Sequence, residues 1–513
     1  MTALPSDTAH IETSPGRSPL LVLTVVAFVG FVTALDNTIV AAAAPSVARD
    51  LGIGLATLQW VSIAYMLPYA GLVLLAGTVL DRLGDRALLA GLGVFAAGAV
   101  VCGAAGSAVP LLLGRTCQGV AAAFIVPGTL RLLRTELPER LRATAAATWT
   151  AALAAALALG PWLGGVVSQY LHWSWIFYGN LPFVLPAVVL VSLGTSQRDR
   201  RSAAKVRLSA ALAVTSGLVL LTSALVTASE AGAGPSWSVP LLGVLGALLL
   251  AGFVLGERCA SAPLVPPRLL RGRVFPGANV LLLLWGLGIS GVVFFTPLVH
   301  QSYLGLDPGT AGLPLVVVAF GVTAATPLVG PAARAFGTHR VVACGLGVVA
   351  LGLFGLAAVN TLAAILPRVP ALLLIGAGSA FTAPITSHAL DHSDQDDAGT
   401  ASGVLTASRE LSSAFGVAVV GLVVSTVLRH RIATGSAEPA ALAAGYTHGV
   451  LLAALLQVIA AVLAWSLLRP VSTDPRSRGA TDESSEEFEA MSSCRYEEPC
   501  AVPDAHSRCR SCW

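Results

Sequence analysis

Fourteen predominantly apolar stretches of roughly 18 to 25 residues recur along this chain of 513 residues, and no other feature constrains its fold as strongly. A run of that length, wound as an α-helix, matches the hydrocarbon thickness of a bilayer. The runs are centred near Phe28, Leu67, Ala97, Ala122, Leu153, Pro186, Gly217, Ala247, Leu287, Ala319, Val349, Ile375, Val417 and Leu456. Lipid offers no partner to a backbone N–H or C=O, so each run is expected to close its own hydrogen bonds as a helix. The expected fold class is therefore all-α integral membrane. With 55% hydrophobic and 11% charged residues, the composition lies outside the range of soluble domains.

An even number of spans puts both termini on one side, and the basic loops say which. Arg82 and Arg86, Arg134 to Arg142, the cluster from Arg198 to Arg207, Arg258 to Arg273, and Arg334 with Arg340 fall in one set of loops. The alternate loops at 169–174, 229–238 and 300–309 carry no Lys or Arg. By the positive-inside rule both termini are expected in the cytoplasm. This topology also accounts for the net charge of +3 without a nucleic-acid partner. The first residues hold Asp7 and Glu12 and lack a basic region, so no cleaved signal peptide is expected. Arginine supplies nearly all the basic charge among many Ala, Gly and Val residues, a codon bias that suggests a GC-rich bacterium and hence its inner membrane.

Cys102, Cys117 and Cys344 lie in apolar runs and Cys259 in a cytoplasmic loop; Cys494, Cys500, Cys509 and Cys512 lie with His506 in a polar tail. Their spacing fits no zinc module and their compartment disfavours disulfides, so neither metal nor cofactor is expected. His388, Asp391, His392, Asp394, Asp396 and Asp397 read as a hydrated acidic loop rather than a metal site.

An internal repeat organises the chain. Gly77-Thr78-Val79-Leu80-Asp81-Arg82-Leu83-Gly84 follows the second run, and Gly330 through Gly337 follows the tenth with the same glycine separation. Duplicated halves with a site between them are a transporter architecture. The expected organisation is a tail at 1–19, a six-helix bundle at 20–195, a linker with two extra spans at 196–274, a second six-helix bundle at 275–468, and a disordered tail at 469–513.

These motifs together resemble the major facilitator superfamily, and within it the fourteen-helix drug:proton antiporters. Gly77 to Arg86 resembles the loop motif between helices two and three. Leu35-Asp36-Asn37-Thr38-Ile39-Val40 with Pro45 resembles the first-helix signature, and Arg115-Thr116-Cys117-Gln118-Gly119 the fourth-helix motif. Gly160-Pro161-Trp162-Leu163-Gly164-Gly165 resembles the fifth-helix antiporter motif. Gln59-Trp60 with Tyr65, Trp173 to Phe177 ending at Asn180-Leu181-Pro182, and Ala407 to Leu411 complete the set. The chain departs from the family at Asp85, where a basic residue is usual, and at Leu80, Ala156 and Ala41. The resemblance implies a monomeric, proton-coupled antiporter that exports hydrophobic small molecules such as drugs or antibiotics, including self-resistance in an antibiotic producer. Its partners are a small-molecule substrate, protons and the lipid bilayer.

Asp36 and Arg115 are the candidate proton-coupling residues. An acid near the bilayer centre costs about 2.5–3.5 kcal/mol on insertion scales, so Asp36 has a use to explain. Burial disfavours a charged carboxyl, which makes Asp36 a candidate proton holder; a hydrogen bond to Thr33 or Asn37 is the structural alternative. Arg115 stays charged and needs an acceptor, and Gln118 shares its helix face. The resemblance implies gating roles for Gly77, Asp81, Arg82, Gly84 and Arg86, with the glycines permitting close approach. It implies an antiporter hinge at Gly160, Pro161, Gly164 and Gly165, where proline bends a helix and glycine admits a neighbour. Trp60, Tyr65, Gln118, Trp149 and Trp285 are candidate substrate-cavity residues, with packing and interfacial anchoring as alternatives. Arg409 and Glu410 read as a mutually paired couple near a helix end.

Nutrient or metabolite uptake on the same fold is the second reading, which the antiporter motif argues against. A membrane enzyme lacks support, since neither a phosphate-binding P-loop nor an H-E-x-x-H metal pair is present. The tail is too short for the output domain of a sensor.

Overall fold

The computed structural model describes residues 18–193, 207–230, 237–260, 263–362, 364–394 and 397–469. Asp7, Glu12, Arg198, Lys205, Asp396 and the tail residues Cys494, Cys500, His506, Cys509 and Cys512 lie outside the described residues. Among the described residues, fourteen helices are long and apolar enough to span a membrane. They are α1 Pro19–Leu51, α2 Leu55–Leu83, α3 Asp85–Gly103, α4 Ala108–Glu136, α5 Glu139–Tyr170, α6 Trp175–Leu193 and α7 Leu208–Glu230. The remainder are α8 Ser238–Arg258, α9 Val274–Leu304, α10 Pro308–Phe336, α11 Thr338–Val359, α12 Leu366–Asp391, α13 Ala398–Ala433 and α14 Glu438–Leu467. Among the described residues there are no strands.

The duplication is visible in both backbone and packing. Helices α1 and α9 each end on a left-handed glycine, Gly52 at φ 61° and Gly305 at φ 65°. The turns after α2 and α10 use Gly84 at φ 56° and Gly337 at φ 83°, the second glycines of the sequence repeat. In the first half α1 packs on α5, α3 on α4 and α2 on α4; in the second, α9 packs on α13, α11 on α12 and α10 on α12. The same three pairings thus recur eight helices later, giving two pseudo-symmetric six-helix bundles.

The two inserted helices do not form a separate unit. Helix α7 packs against both α2 and α13, across the seam where the halves meet, and α8 packs on α7. Adding a Cβ at Gly71 of α2 would bring it 2.8 Å from Thr215 Cβ of α7, so the two backbones lie close. Arg429 of α13 donates to the Ser229 carbonyl near the end of α7. Helix α8 exposes Leu241, Val244, Leu245 and Leu248, the surface expected of a helix in lipid.

The end holding the start of α1 and the end of α14 is called here the near end, and the other the far end. At the far end the halves are in contact. Gln301 Nε2 of α9 donates to the Ala42 carbonyl of α1 at 3.3 Å, and the Gly309 amide of α10 donates to Gln169 Oε1 of α5 at 3.0 Å. At the near end a cavity of about 680 Å³ opens between α2, α4 and α13.

Candidate functional site

Helices α1, α4 and α6 bring four polar side chains together in an apolar core. Asp36, Gln118 and Asn180 are 0% exposed and Arg115 is 1% exposed. Arg115 Nη1 donates to Asp36 Oδ2 at 2.5 Å, while Gln118 Nε2 and Asn180 Nδ2 donate to Asp36 Oδ1 at 3.0 and 2.7 Å. Arg115 also donates through Nε to the Val61 carbonyl and through Nη1 to Gln118 Oε1, both at 3.0 Å. The guanidinium lies over the Tyr65 ring, 4.6 Å from its centroid. The three side chains that contact Asp36 all donate to it, an arrangement that suits a charge-assisted acceptor. Such compensation is what lets a buried pair persist, since attraction in a low dielectric must offset the desolvation of both ions.

The cluster changes several sequence expectations. Thr33 bonds the Val29 carbonyl one turn back, so the alternative of an Asp36–Thr33 pair does not hold. Gln118 and Tyr65, expected in a substrate cavity, are sealed into the charge cluster, one as a ligand of Asp36 and one beneath Arg115. Asn180, to which the sequence motif assigns no role, gives Asp36 its 2.7 Å amide contact. Trp149 packs on α1, where a Cβ at Gly30 would come 2.9 Å from its ring. Trp60 is partly buried against the core, and the Trp285 indole nitrogen is buried without a partner among the described residues. None of these five lines the near-end cavity.

That cavity is bordered by the loop motif. Gly77, Asp81, Arg131, Arg134, Arg207 and Gly399 contribute to its wall. Asp81 and Arg82 are exposed, and Asp81 makes no ion pair with a described residue. Arg86 is likewise exposed. Nothing lies within 4 Å of a Cβ placed at Gly77, so the close approach expected there is absent from this conformation, and Gly84 serves the turn instead. Asp85, the departure from the family pattern, is paired with Arg131 Nη1 of α4 at 3.2 Å. Asp397 is not hydrated as expected: it is 3% exposed and accepts from Arg268 Nη2 at 2.6 Å as well as from Nε.

The glycine motif of α5 packs on two faces. The helix runs on through Pro161 to Tyr170. Gly160 and Gly164 lie against Thr38 and Ile39 of α1, while Gly165 lies against Pro308 and Gly309, and Pro161 against Gly312, in the opposite half. The run is therefore also an inter-half contact, which its reading as a hinge does not convey.

Arg409 acts electrostatically on Glu410, although the two form no ion pair among the described residues. Arg409 is exposed, whereas Glu410 Oε2 is buried without a hydrogen-bond partner among the described residues. Gly403 and Gly421, seven residues before and eleven after Glu410, approach Leu74 and Gln59 of α2. Glu410 shares that helix face, placing it on the α2–α13 seam.

The Major Facilitator Superfamily model matches residues 26–417. The chain is 33% identical over 466 residues to the puromycin resistance protein of Streptomyces alboniger, covering 88% of this chain and 90% of that protein. It is also 33% identical over 442 residues to the cephamycin export protein of Amycolatopsis lactamdurans, covering 84% and 89%. A bacterial homologue of the human lysosomal transporter Spinster, solved inward-facing and unoccupied, shares the fold with a TM-score of 0.62 at 15% identity, over 88% of this chain and 98% of that one. The duplicated six-helix halves, the spanning helices and these matches lead to one conclusion: the chain belongs to the major facilitator superfamily.

Proposed function

We propose that the protein exports hydrophobic small molecules, antibiotics or drugs among them, in exchange for protons. It works as a monomer in the bacterial inner membrane with its near end and both termini cytoplasmic. The observation that carries this reading is the sealed carboxylate of Asp36 with its three donors. Oδ1 already accepts from the Gln118 and Asn180 amides, so a proton added to that oxygen displaces one of them. Protonation thereby loosens α1 from α4 or α6, converting a proton into a packing change. A far end closed by the α5 glycine run and a near-end cavity fit the inward-open stage of such a cycle. The relatives named for resistance and export favour outward transport over nutrient uptake.

The test is protection of an efflux-deficient bacterial host against puromycin, a cephamycin and a panel of toxic dyes, with and without a protonophore. Protection that the protonophore abolishes, and that Asp36→Asn lacks at equal expression, is expected. Protection indifferent to both treatments would refute proton coupling, and failure to protect against any compound would count against export.

A further inference from the structure

The two halves build only part of the near-end cavity. Helices α2 and α13 are in contact where a Cβ at Gly403 would come 3.2 Å from Leu74. About one turn closer to the near end they have diverged: a Cβ at Gly77 or at Gly399 would meet no described atom within 4 Å. The wedge between them, with α4 as a further side, holds about 680 Å³, a volume common to small-molecule sites. Its remaining wall comes from the insert, as Arg207 just before α7 and Pro263 with Leu264 shortly after α8. One carboxylate holds both pieces. Glu257, near the end of α8, pairs with the Arg207 guanidinium and accepts from the Leu264 and Val265 amides. Further along, Arg268 Nη2 donates to Asp397 Oδ1 at 2.6 Å, at the start of α13. Leu264 is thus fixed between an anchor on α8 and an anchor on the second half.

Charge is nearly balanced around the wedge. Arg131, Arg134, Arg207 and Asp81 contribute to the wall, and Arg131 is already paired with Asp85 and Arg207 with Glu257. Arg134 and Asp81, one of each sign, are left without an ion pair among the described residues. What the wall offers is apolar surface from Leu74, Val126, Leu130 and Leu264, with hydroxyls from Thr78 and Thr406. A neutral apolar wall discriminates by contact area and by volume. We propose that this wedge is a loading subsite for the exported molecule, that it takes a largely apolar compound of drug size, and that Leu264 is a specificity-determining residue supplied by the insert. Glu257 is a positioning residue that acts through Leu264. The inference rests on the export reading and names where the molecule first binds.

The test is efflux of fluorescent rhodamine esters of increasing chain length, from methyl to hexyl, by the full chain in proteoliposomes, with KM and kcat measured for each. Leu264→Trp fills part of the wedge and is expected to raise KM for the hexyl ester by about tenfold relative to the methyl ester, with kcat little changed. Leu264→Ala enlarges the wedge and should move the same ratio in the opposite direction by about fourfold. Leu264→Phe substitutes for the Trp variant if that protein fails to fold. Glu257→Ala keeps Leu264 but frees it, and should weaken the dependence of KM on chain length. A hexyl-to-methyl KM ratio unmoved by the Leu264 variants, or changes that fall equally on every ester, would show a structural role alone and overturn the proposal while leaving export standing. Transport of puromycin but of none of the esters would overturn the ligand class assigned here. Transport of neither would instead remove the export reading, and this inference with it.

Discussion

Two neighbouring glycines in α5 should respond differently to the same added methyl group. A Cβ at Gly165 would lie 2.8 Å from the Pro308 carbonyl carbon and 3.0 Å from Gly309 Cα, with the Pro308 oxygen nearer still. All three are backbone atoms, so no rotamer change relieves the overlap. Overpacking of this kind costs about 1–3 kcal/mol. Because Pro308 and Gly309 belong to the other half, Gly165→Ala charges that cost only to the conformation in which the far end is closed. The ratio of far-end-open to far-end-closed molecules should rise roughly 5- to 150-fold. Gly164 differs: its Cβ would sit 3.1 Å from the Ile39 carbonyl carbon and Cγ1, and closer to the Ile39 oxygen, all within the same half. Gly164→Ala, a minor change when judged by size alone, should lower stability in every conformation and leave the ratio nearly fixed. Spin labels at the exposed far-end positions Leu171 and Leu362, one in each half, report the opening as a distance distribution. Thermal unfolding reports the stability. Folded Gly165→Ala with a wild-type distribution, or equal shifts from both variants, would refute the reasoning.

Other outcomes follow from the charge cluster. Asp36→Asn should abolish proton-driven export and, by leaving Arg115 as an uncompensated buried charge, cost about 3–5 kcal/mol of stability, read by efflux in proteoliposomes and by thermal unfolding. Arg115→Lys keeps the charge but loses the planar fork that reaches Val61, Gln118 and Asp36 together; export should fall at least about tenfold while the protein still folds. Asn180→Leu removes one amide donor from the carboxylate, a loss of about 1.5–3 kcal/mol, and wild-type export by that variant would show that Asn180 is not needed at the site. Arg268→Gln should loosen the start of α13 by removing the paired donors to Asp397, seen as faster hydrogen exchange around 397–402.

The spans were legible in the sequence because bilayer thickness fixes their length, and the repeat because its second glycines occupy the same left-handed turns in both halves. Asp36, Arg115 and Gln118 stood out as polar groups in apolar runs. That they meet was not legible: lipid-facing and protein-facing sides of a membrane helix are both apolar, so periodicity does not tell which way a residue turns. Asn180 carries no charge to draw notice and lies 144 residues from Asp36. The two contact faces of the α5 motif needed the register of the opposite half, which no local pattern encodes.

The position of α7 makes the two flanks of the molecule unequal. It lies close against α2 at Gly71 and is held to α13 by Arg429, so that flank of the seam is roofed by the chain itself. Among the described residues, the flank formed by α5 and α10 has no inserted helix packed along it in the same way. Any motion that parts α2 from α13 must therefore slide α7 along one of them, whereas α5 and α10 can separate without shearing a third helix. A duplicated protein that would otherwise look the same from either side has thereby acquired a front and a back.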